Sequence, residues 1–254
     1  MSIKLTGMIL GLLLGNSSLR YGVFDARKIH ASGRIAWPEL CRRGGELRQV
    51  ARAHGVRRLV GASVRDDFLP ELTPWLPEGL PPMTLARRDF PLPIENCYEK
   101  PEEAGTDRLL TAIAARERTL GSASVTVDFG TAVNLTVVSV EGAFLGGLIA
   151  AGASCLSSGL QASTPQLPAA GPRRHARFIQ RSSQKAVEAG VYWEVVAGVK
   201  AMIQGVRGEL HPSPCRVLAT GGGAEVFAPA IAEVEEVVPD LTLEGLLIAC
   251  RAGY

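Results

Sequence analysis

From Ile3 to Leu14 the chain is apolar almost without interruption, and a Gly-Asn-Ser-Ser turn follows at once. Leu19 to Phe24 then alternates apolar with polar residues, so run, turn and alternating run together predict a β-hairpin. With Lys4 near its start, the first run imitates a short signal peptide, and it carries Gly7, Gly11 and Gly15 at four-residue spacing. It is interrupted well short of the roughly 18 apolar residues that a bilayer span requires, and a buried strand explains it better. Arg34 to His54 is moderately helical, with Gly44-Gly45 marking a start or a bend. Val56 to Val64 reads as a buried strand, Asp66 to Pro82 as a short helix and loop, and Met83 to Ala86 as a further strand. The Pro-punctuated stretch Pro91 to Ala104 is irregular. It leads to Gly105-Thr106-Asp107-Arg108 at the mouth of a helix reaching about Leu120, whose apolar face is Leu109, Leu110, Ile113 and Ala114.

At Ala123 the pattern begins again. A strand runs to Phe129 and ends in Asp-Phe-Gly-Thr-Ala, Val133 to Val140 is its hairpin partner, and Ala143 to Leu145 is a third strand. Gly146-Gly147 then opens into helical and loop segments. Gln184 to Val206 is a long helix with Val187, Val191, Val195, Val199 and Met202 on one stripe, read equally well as a core face or as a dimer face. Val217 to Ala219 is a short strand into Thr220-Gly221-Gly222-Gly223, and Thr242 to Arg251 a last helix capped near Asp240. An offset of 115 residues places Gly15 on Gly130, Asn16 on Thr131 and Val23 on Val138, so the two halves are a duplication. In each half a turn of Gly, Ser and Thr offers backbone N–H groups and hydroxyls to phosphate oxygens without a side-chain clash.

Composition changes this picture mainly by exclusion. The 254 residues carry a formal charge of +2 and 6% aromatics, so neither a basic groove nor a stacking platform for nucleic acid is expected, nor a membrane partner. Five scattered cysteines without a Cys-x-x-Cys pair imply neither a disulfide framework nor a zinc site, and point to the cytoplasm. The four histidines, His30, His54, His175 and His211, read as surface or loop residues, too dispersed for a metal pair. The chain has no Gly-Lys-Ser or Gly-Lys-Thr phosphate loop and no intact Gly-x-Gly-x-x-Gly after a strand.

Seven segments in order carry a more specific signal: Gly15-Asn16-Ser17, Tyr98 to Arg108, Asp128 to Ala132, Gly146 to Ile149, Ala189 to Tyr192, Thr220 to Gly222 and Pro239 to Gly245. Over nearly its whole length the chain resembles the type III pantothenate kinases of the actin-like kinase superfamily. The resemblance implies an α/β, duplicated ribonuclease H-like (actin-like) two-domain fold with a cleft between the halves. The expected halves are 1–118, with the first phosphate turn and the base motif, and 119–254, with the second turn and the adenosine-side glycines. It further implies a cytoplasmic homodimer that uses ATP, Mg2+ and K+ or NH4+ to phosphorylate pantothenate.

Residue by residue, the resemblance makes Asp107 the base that takes the proton from the primary hydroxyl of pantothenate. Phosphoryl transfer needs in-line positioning, charge neutralisation and a carboxylate near the attacking hydroxyl, so the assignment is chemically sensible. A helix N-cap is the bland reading of Asp107, and the two roles coexist readily. Arg108, Tyr98, Gly105, Thr106 and Ser183 fall on substrate positions, and Gly15, Asn16, Ser17, Ser18, Thr131, Gly221 and Gly222 on ATP positions. Asp128 matches the monovalent-cation ligand, with a turn-stabilising Asx bond as the alternative. Three departures stand out. Leu13 occupies the position of the family's metal-assisting Asp, Gln180-Arg181-Ser182-Ser183 replaces Gly-Arg-Asn-Thr, and Ala151 replaces a Pro. Leu13 motivates the alternative of a weakly active or silent accessory or regulatory protein, and the altered 180–183 segment a kinase for another small hydroxylated acid.

Overall fold

The computed structural model describes residues 7–64, 69–169, 171 and 173–253. The chain forms two compact units, one comprising the residues up to Ala114 together with Asp240 onward, the other Ala115–Pro239. In the first, β1 (Met8–Leu14), β2 (Ser18–Phe24), β3 (Ile29–Ala36), β4 (Val56–Ser63) and β5 (Thr84–Leu85) form a sheet in the order β3-β2-β1-β4-β5. Its first two pairings are antiparallel and its last two parallel. In the second, β6 (Ala123–Phe129), β7 (Ala132–Val138), β8 (Phe144–Ala151), β9 (Cys215–Thr220) and β10 (Glu236–Val237) repeat that arrangement as β8-β7-β6-β9-β10. The result is a duplicated ribonuclease H-like, actin-like α/β fold.

The duplication is slightly out of step with a uniform offset. Leu10 pairs with Val23, whereas Val125, its counterpart in β6, pairs with Val137 rather than Val138. The first hairpin turn is one residue longer, with Gly15 N–H donating to Ser18 O while Gly130 N–H donates to Ala132 O. Beyond the turn the correspondence therefore slips by one.

From Met8 onward the apolar run is a strand because both of its faces are covered, while residues 3–6 of the run lie outside the described range. Leu10, Leu12 and Leu14 pack in one buried cluster with Leu47 and Ala51, while Ile9 and Leu13 face another with Leu110 and Ile113. Leu47 and Ala51 lie on α2 (Gly45–Ala53), which follows a short α1 (Leu40–Arg43). The helix breaks at Gly44, where a Cβ would meet the Trp75 ring at 2.4 Å and the Leu40 carbonyl at 2.7 Å. β3 extends to Ala36, past the Arg34 at which the helix was expected to begin. The short helix and loop expected over 66–82 are the single turn α3 (Leu69–Leu72) and the mostly irregular chain after it, and 66–68 lie outside the described range. α4 (Thr106–Arg118) matches its expected position.

In the second unit Gly146-Gly147 does not end the strand. Both take positive φ, 107° and 131°, next to a register shift at Val137/Val138, and pairing continues to Ala151. α5 (Ala153–Ser163), α6 (Ser183–Leu210) and α7 (Ala224–Phe227) follow. The valine stripe of α6 belongs to the core, not to a dimer face: Val187, Val191, Val195 and Val199 are buried among Val125, Val127, Val217 and Phe227.

α8 (Leu241–Gly253) joins the first unit, although the chain's single expected boundary at 118 would place it in the second half. Its Leu243, Leu246, Leu247 and Ala249 fill the cluster around Ile9, Phe24, Val60 and Leu110. Burial among them pushes the Cys250 thiol up to about 12. All five cysteines are unbridged, and among the described residues no helix is long and apolar enough to cross a membrane. α8 crosses α4 so closely that a Cβ on Gly245 would lie 1.9 Å from the Leu110 carbonyl oxygen. Backbone cannot yield as a flexible side chain can, so Gly245→Ala is expected to cost at least about 1–3 kcal/mol, the range for overpacked cores. Denaturant unfolding measures this, and wild-type stability would contradict the contact.

Candidate functional site

In the first unit Thr106, Asp107 and Arg108 occupy the first turn of α4. Leu109 N–H donates to Gly105 O at 3.1 Å, so the helix opens at Gly105 and Asp107 lies inside the first turn rather than at the N-cap. The Asp107 Oδ1 atom accepts the Arg108 backbone N–H at 2.9 Å. Gly105 makes room for that carboxylate, since a Cβ there would stand 2.5 Å from Asp107 Oδ1. Burial raises the Asp107 pKa above the usual carboxylate range, against the lowering effects of its own helix-start hydrogen bonds and of the Arg108 and Arg20 charges. Arg108 is buried, donates from Nη1 to the Tyr98 hydroxyl, and sets its guanidinium carbon 5.5 Å from the Tyr98 ring centre. Tyr98, Gly105, Thr106, Asp107 and Arg108 are thus brought together.

The first phosphate turn is braced by residues that the sequence reading missed. The Trp37 indole N–H donates to Gly15 O at 2.8 Å and the Trp37 backbone N–H to Ser17 O at 3.2 Å. Asn16 and Ser17 are exposed at the tip. Ser18 is the first residue of β2, is buried, and accepts a hydrogen bond from Arg34 Nε at 2.8 Å, so it differs from the exposed tip residues with which it was grouped. Arg34 and Arg20 are directly paired across β2 and β3, and Arg20 is paired in turn with Leu13. Like charges so placed are unfavourable unless anions neutralise them. Only the register reveals this row, which is why a reading of local motifs passed over it. Leu13 itself is buried in the apolar cluster, where it offers no metal ligand.

In the second unit Asp128 and Thr220 are paired on the parallel strands β6 and β9, so the Gly130-Thr131 turn and the Gly221 to Gly223 turn emerge side by side. Gly221 has φ 91°, and a Cβ there would lie 2.2 Å from Asp128 Oδ1 and 2.7 Å from Phe129 N. The glycine is required by both conformation and space. Gly223 N–H donates to Phe129 O at 2.9 Å, and Gly152 N–H donates to Thr131 O at 3.0 Å. Gly152 is the N-cap of α5, and its missing side chain lets that helix abut the 130–131 turn. Asp128, Thr131, Gly221 and Gly222 therefore gather around adjoining strand ends. Ser183 lies elsewhere in this unit, as the first residue of α6, lining a cavity of about 770 Å³ with Cys155, Leu160, Val187 and Glu194. His175 departs from the surface reading, being mostly buried with Nε2 3.2 Å from Glu188 Oε2.

A duplicated actin-like α/β protein with a glycine turn at corresponding strand ends of each unit has the layout of a phosphotransferase. The sequence model of the type III pantothenate kinases matches residues 9–205, and the chain belongs to that family. A type III pantothenate kinase of Rhodospirillum rubrum is 37% identical over 171 residues, 67% of this chain and 66% of the relative, just under two thirds of its length. That of Paramagnetospirillum magneticum is 30% identical over 258 residues, 94% of this chain and 95% of the relative. Among solved structures, a Campylobacter jejuni protein named for the Baf family superposes with a TM-score of 0.62 at 15% identity, covering 96% and 98% of the two chains, which supports the fold alone.

The raised pKa of Asp107 has a stability counterpart. A carboxyl whose folded pKa exceeds its unfolded value stabilises the protein below the unfolded pKa, and that contribution is lost as pH rises through the folded one. Asp107→Asn is therefore expected to melt at or above the wild type at neutral pH, with the advantage shrinking as pH falls through the carboxylate range. A variant less stable than wild type at neutral pH, and closer to it in acid, would contradict the burial assignment.

Proposed function

We propose that this protein transfers the γ-phosphoryl group of ATP to the primary hydroxyl of pantothenate, giving 4'-phosphopantothenate, the first step of coenzyme A biosynthesis. The observation that carries the reading is the largely buried carboxylate of Asp107, given room by Gly105 and followed by Arg108, which Tyr98 holds, in a member of this family. Asp107 accepts the hydroxyl proton as the new O–P bond forms and ADP departs, and its raised pKa makes it a better proton acceptor than an exposed aspartate. Arg108, steadied by Tyr98, holds the acceptor, with Thr106 at the same helix start; in the second unit Ser183 keeps the hydroxyl at a position that the family resemblance assigns to substrate. In the first unit Gly15, Asn16 and Ser17 offer backbone donors to phosphate, with the positive charge of Arg20 and Arg34 beside the turn; in the second unit Thr131, Gly221 and Gly222 form a glycine turn suited to the same task. Ser18 acts on that turn through Arg34 rather than as a direct ligand.

The carboxylate of Asp128, facing the space that Gly221 leaves open, fits a monovalent cation, K+ or NH4+, as a hard oxygen ligand. When bound, such an ion supplies positive charge next to the phosphates. The residues at the first turn do not fit a carboxylate-held Mg2+ at position 13, since Leu13 is apolar and buried. This accords with a metal carried by the nucleotide's phosphates and water. Unbridged cysteines suit the cytoplasm. For a homodimer, the support is the exposed Leu145, Leu148 and Ile149 on edge strand β8 rather than the α6 stripe.

The direct test is incubation with ATP, Mg2+, K+ and pantothenate, with phosphopantothenate detected by mass; no product at any Mg2+ concentration sinks the reading in favour of a silent accessory protein. Asp107→Asn should lower kcat by about 10²–10⁴-fold, the usual worth of a general base, and a fully active variant would refute its role. The acid limb of the rate profile should lie above the ordinary aspartate range, with activity rising as Asp107 ionises. Leu13→Asp should lower the Mg2+ requirement while destabilising the protein by several kcal/mol, on the order of the cost of burying one charge. An unchanged requirement would show that position 13 is not near the metal.

A further inference from the structure

The turn that precedes the irregular 91–104 segment contains the only described non-glycine residue with positive φ, Arg87 at 69°. Such a conformation is uncommon for a residue with a long side chain, and it persists only where the surroundings impose it. They do so here from several sides. Leu85 N–H donates to Asp89 Oδ2 at 2.7 Å, Asp89 N–H to Leu85 O at 2.8 Å, and Arg87 N–H to Phe90 O at 2.8 Å. Phe90 is buried in the cluster shared by α4 and α8. The turn is thus fixed to the same core as the base-bearing helix, and the Arg87 guanidinium leaves it in one direction.

Where it goes is informative. Arg87 Nη2 donates to Pro101 O at 2.6 Å and Nη1 donates to Ala104 O, the carbonyl immediately before Gly105. Pro101 O also accepts from Asn96 Nδ2 at 3.0 Å and from Ala104 N–H at 3.3 Å. Three donors therefore converge on one carbonyl at the head of the turn that feeds the Gly-Thr-Asp-Arg motif. A planar guanidinium fixes the relative position of two carbonyls in a way that a single ammonium does not.

We propose that Arg87 is a positioning residue for Asp107: its fork clamps the carbonyls of Pro101 and Ala104, and so sets where α4 begins and where the base carboxylate stands. The proposal rests on the reading of Asp107 as the base. It explains why an unfavourable backbone conformation is retained at a residue that is not glycine, since φ 69° is what aims the side chain at the 101–104 turn.

The test uses the full-length protein. Arg87→Gly suits the positive φ and removes the fork, so it does not strain the turn. Its kcat for pantothenate should fall roughly tenfold to a hundredfold, as for a catalytic group displaced by about an ångström, with KM for ATP little changed. Added methylguanidinium should restore part of the rate, and Arg87→Lys, which lacks the fork, should lie between wild type and Arg87→Gly. The Leu109 amide, which bonds Gly105 O, should exchange its hydrogen faster in Arg87→Gly. Wild-type kcat together with wild-type Leu109 exchange in that variant overturns the proposal, as does a rate loss that merely follows the fraction unfolded. If the wild-type protein makes no phosphopantothenate, the proposed function falls, while the exchange comparison still decides whether Arg87 holds the helix start.

Discussion

The contact on which the first unit depends is the approach of α8 to α4 at Gly245 and Leu110, backbone against backbone with no side chain between. It lets Leu243, Leu246 and Leu247 share one buried cluster with Ile9 and Leu13 of β1, Phe24 of β2 and Leu110 and Ile113 of α4. A Thr111–Thr242 hydroxyl bond at 3.0 Å joins the two helices beside this contact. These contacts at Leu110 and Thr111 hold the body of α4 against α8, just beyond the turn that carries Asp107. Asp107 is consequently presented by rigid structure rather than by a loop, which a group that must sit within hydrogen-bond reach of its partner requires.

Each unit then solves the same problem with glycine, although the details differ. Gly105 yields space to Asp107 in one unit, and Gly221 to Asp128 in the other. In both cases a carboxylate lies where an ordinary Cβ would be, drawn away from water by the backbone around it. The strands beneath have diverged: Ile9, Gly11 and Leu13 correspond to Ser124, Thr126 and Asp128, so one sheet keeps an apolar row where the other has become polar. The duplicated fold therefore places its carboxylates differently in the two units, Asp107 in the first turn of a helix in one and Asp128 on the central strand in the other.

Much of this was legible in the sequence because it was local. The hairpins, the helix opening at Gly105 and the two glycine turns each announce themselves within a few residues, and their order fixed the family. What escaped was whatever depends on register or on distant partners. The Arg20–Arg34 pair, the Trp37 brace on Gly15 and the reach of Arg87 to Ala104 join residues 14 to 22 positions apart, through pairing that no local pattern encodes. The membership of α8 in the first unit was hidden for the same reason. The strand that continued through Gly146-Gly147 shows the reverse error: glycine was read as a stop where the fold uses its positive φ to carry a bulged edge strand.

The near-neutral charge of the chain gives the Leu13 departure its meaning. With a net charge of only +2 the molecule has no general field to neutralise a triphosphate, so neutralisation must be local. At the first turn the row Arg34, Arg20, Leu13 already places two cations side by side on one face. A carboxylate at position 13 would stand next to Arg20 and spend part of that charge on an internal ion pair. Leucine leaves Arg20 and Arg34 uncompensated by position 13 and keeps the β1 end packed against the α4 and α8 cluster. The lost carboxylate and the arginine row thus belong to one arrangement, which sets two positive side chains beside the first turn where the family resemblance places a carboxylate.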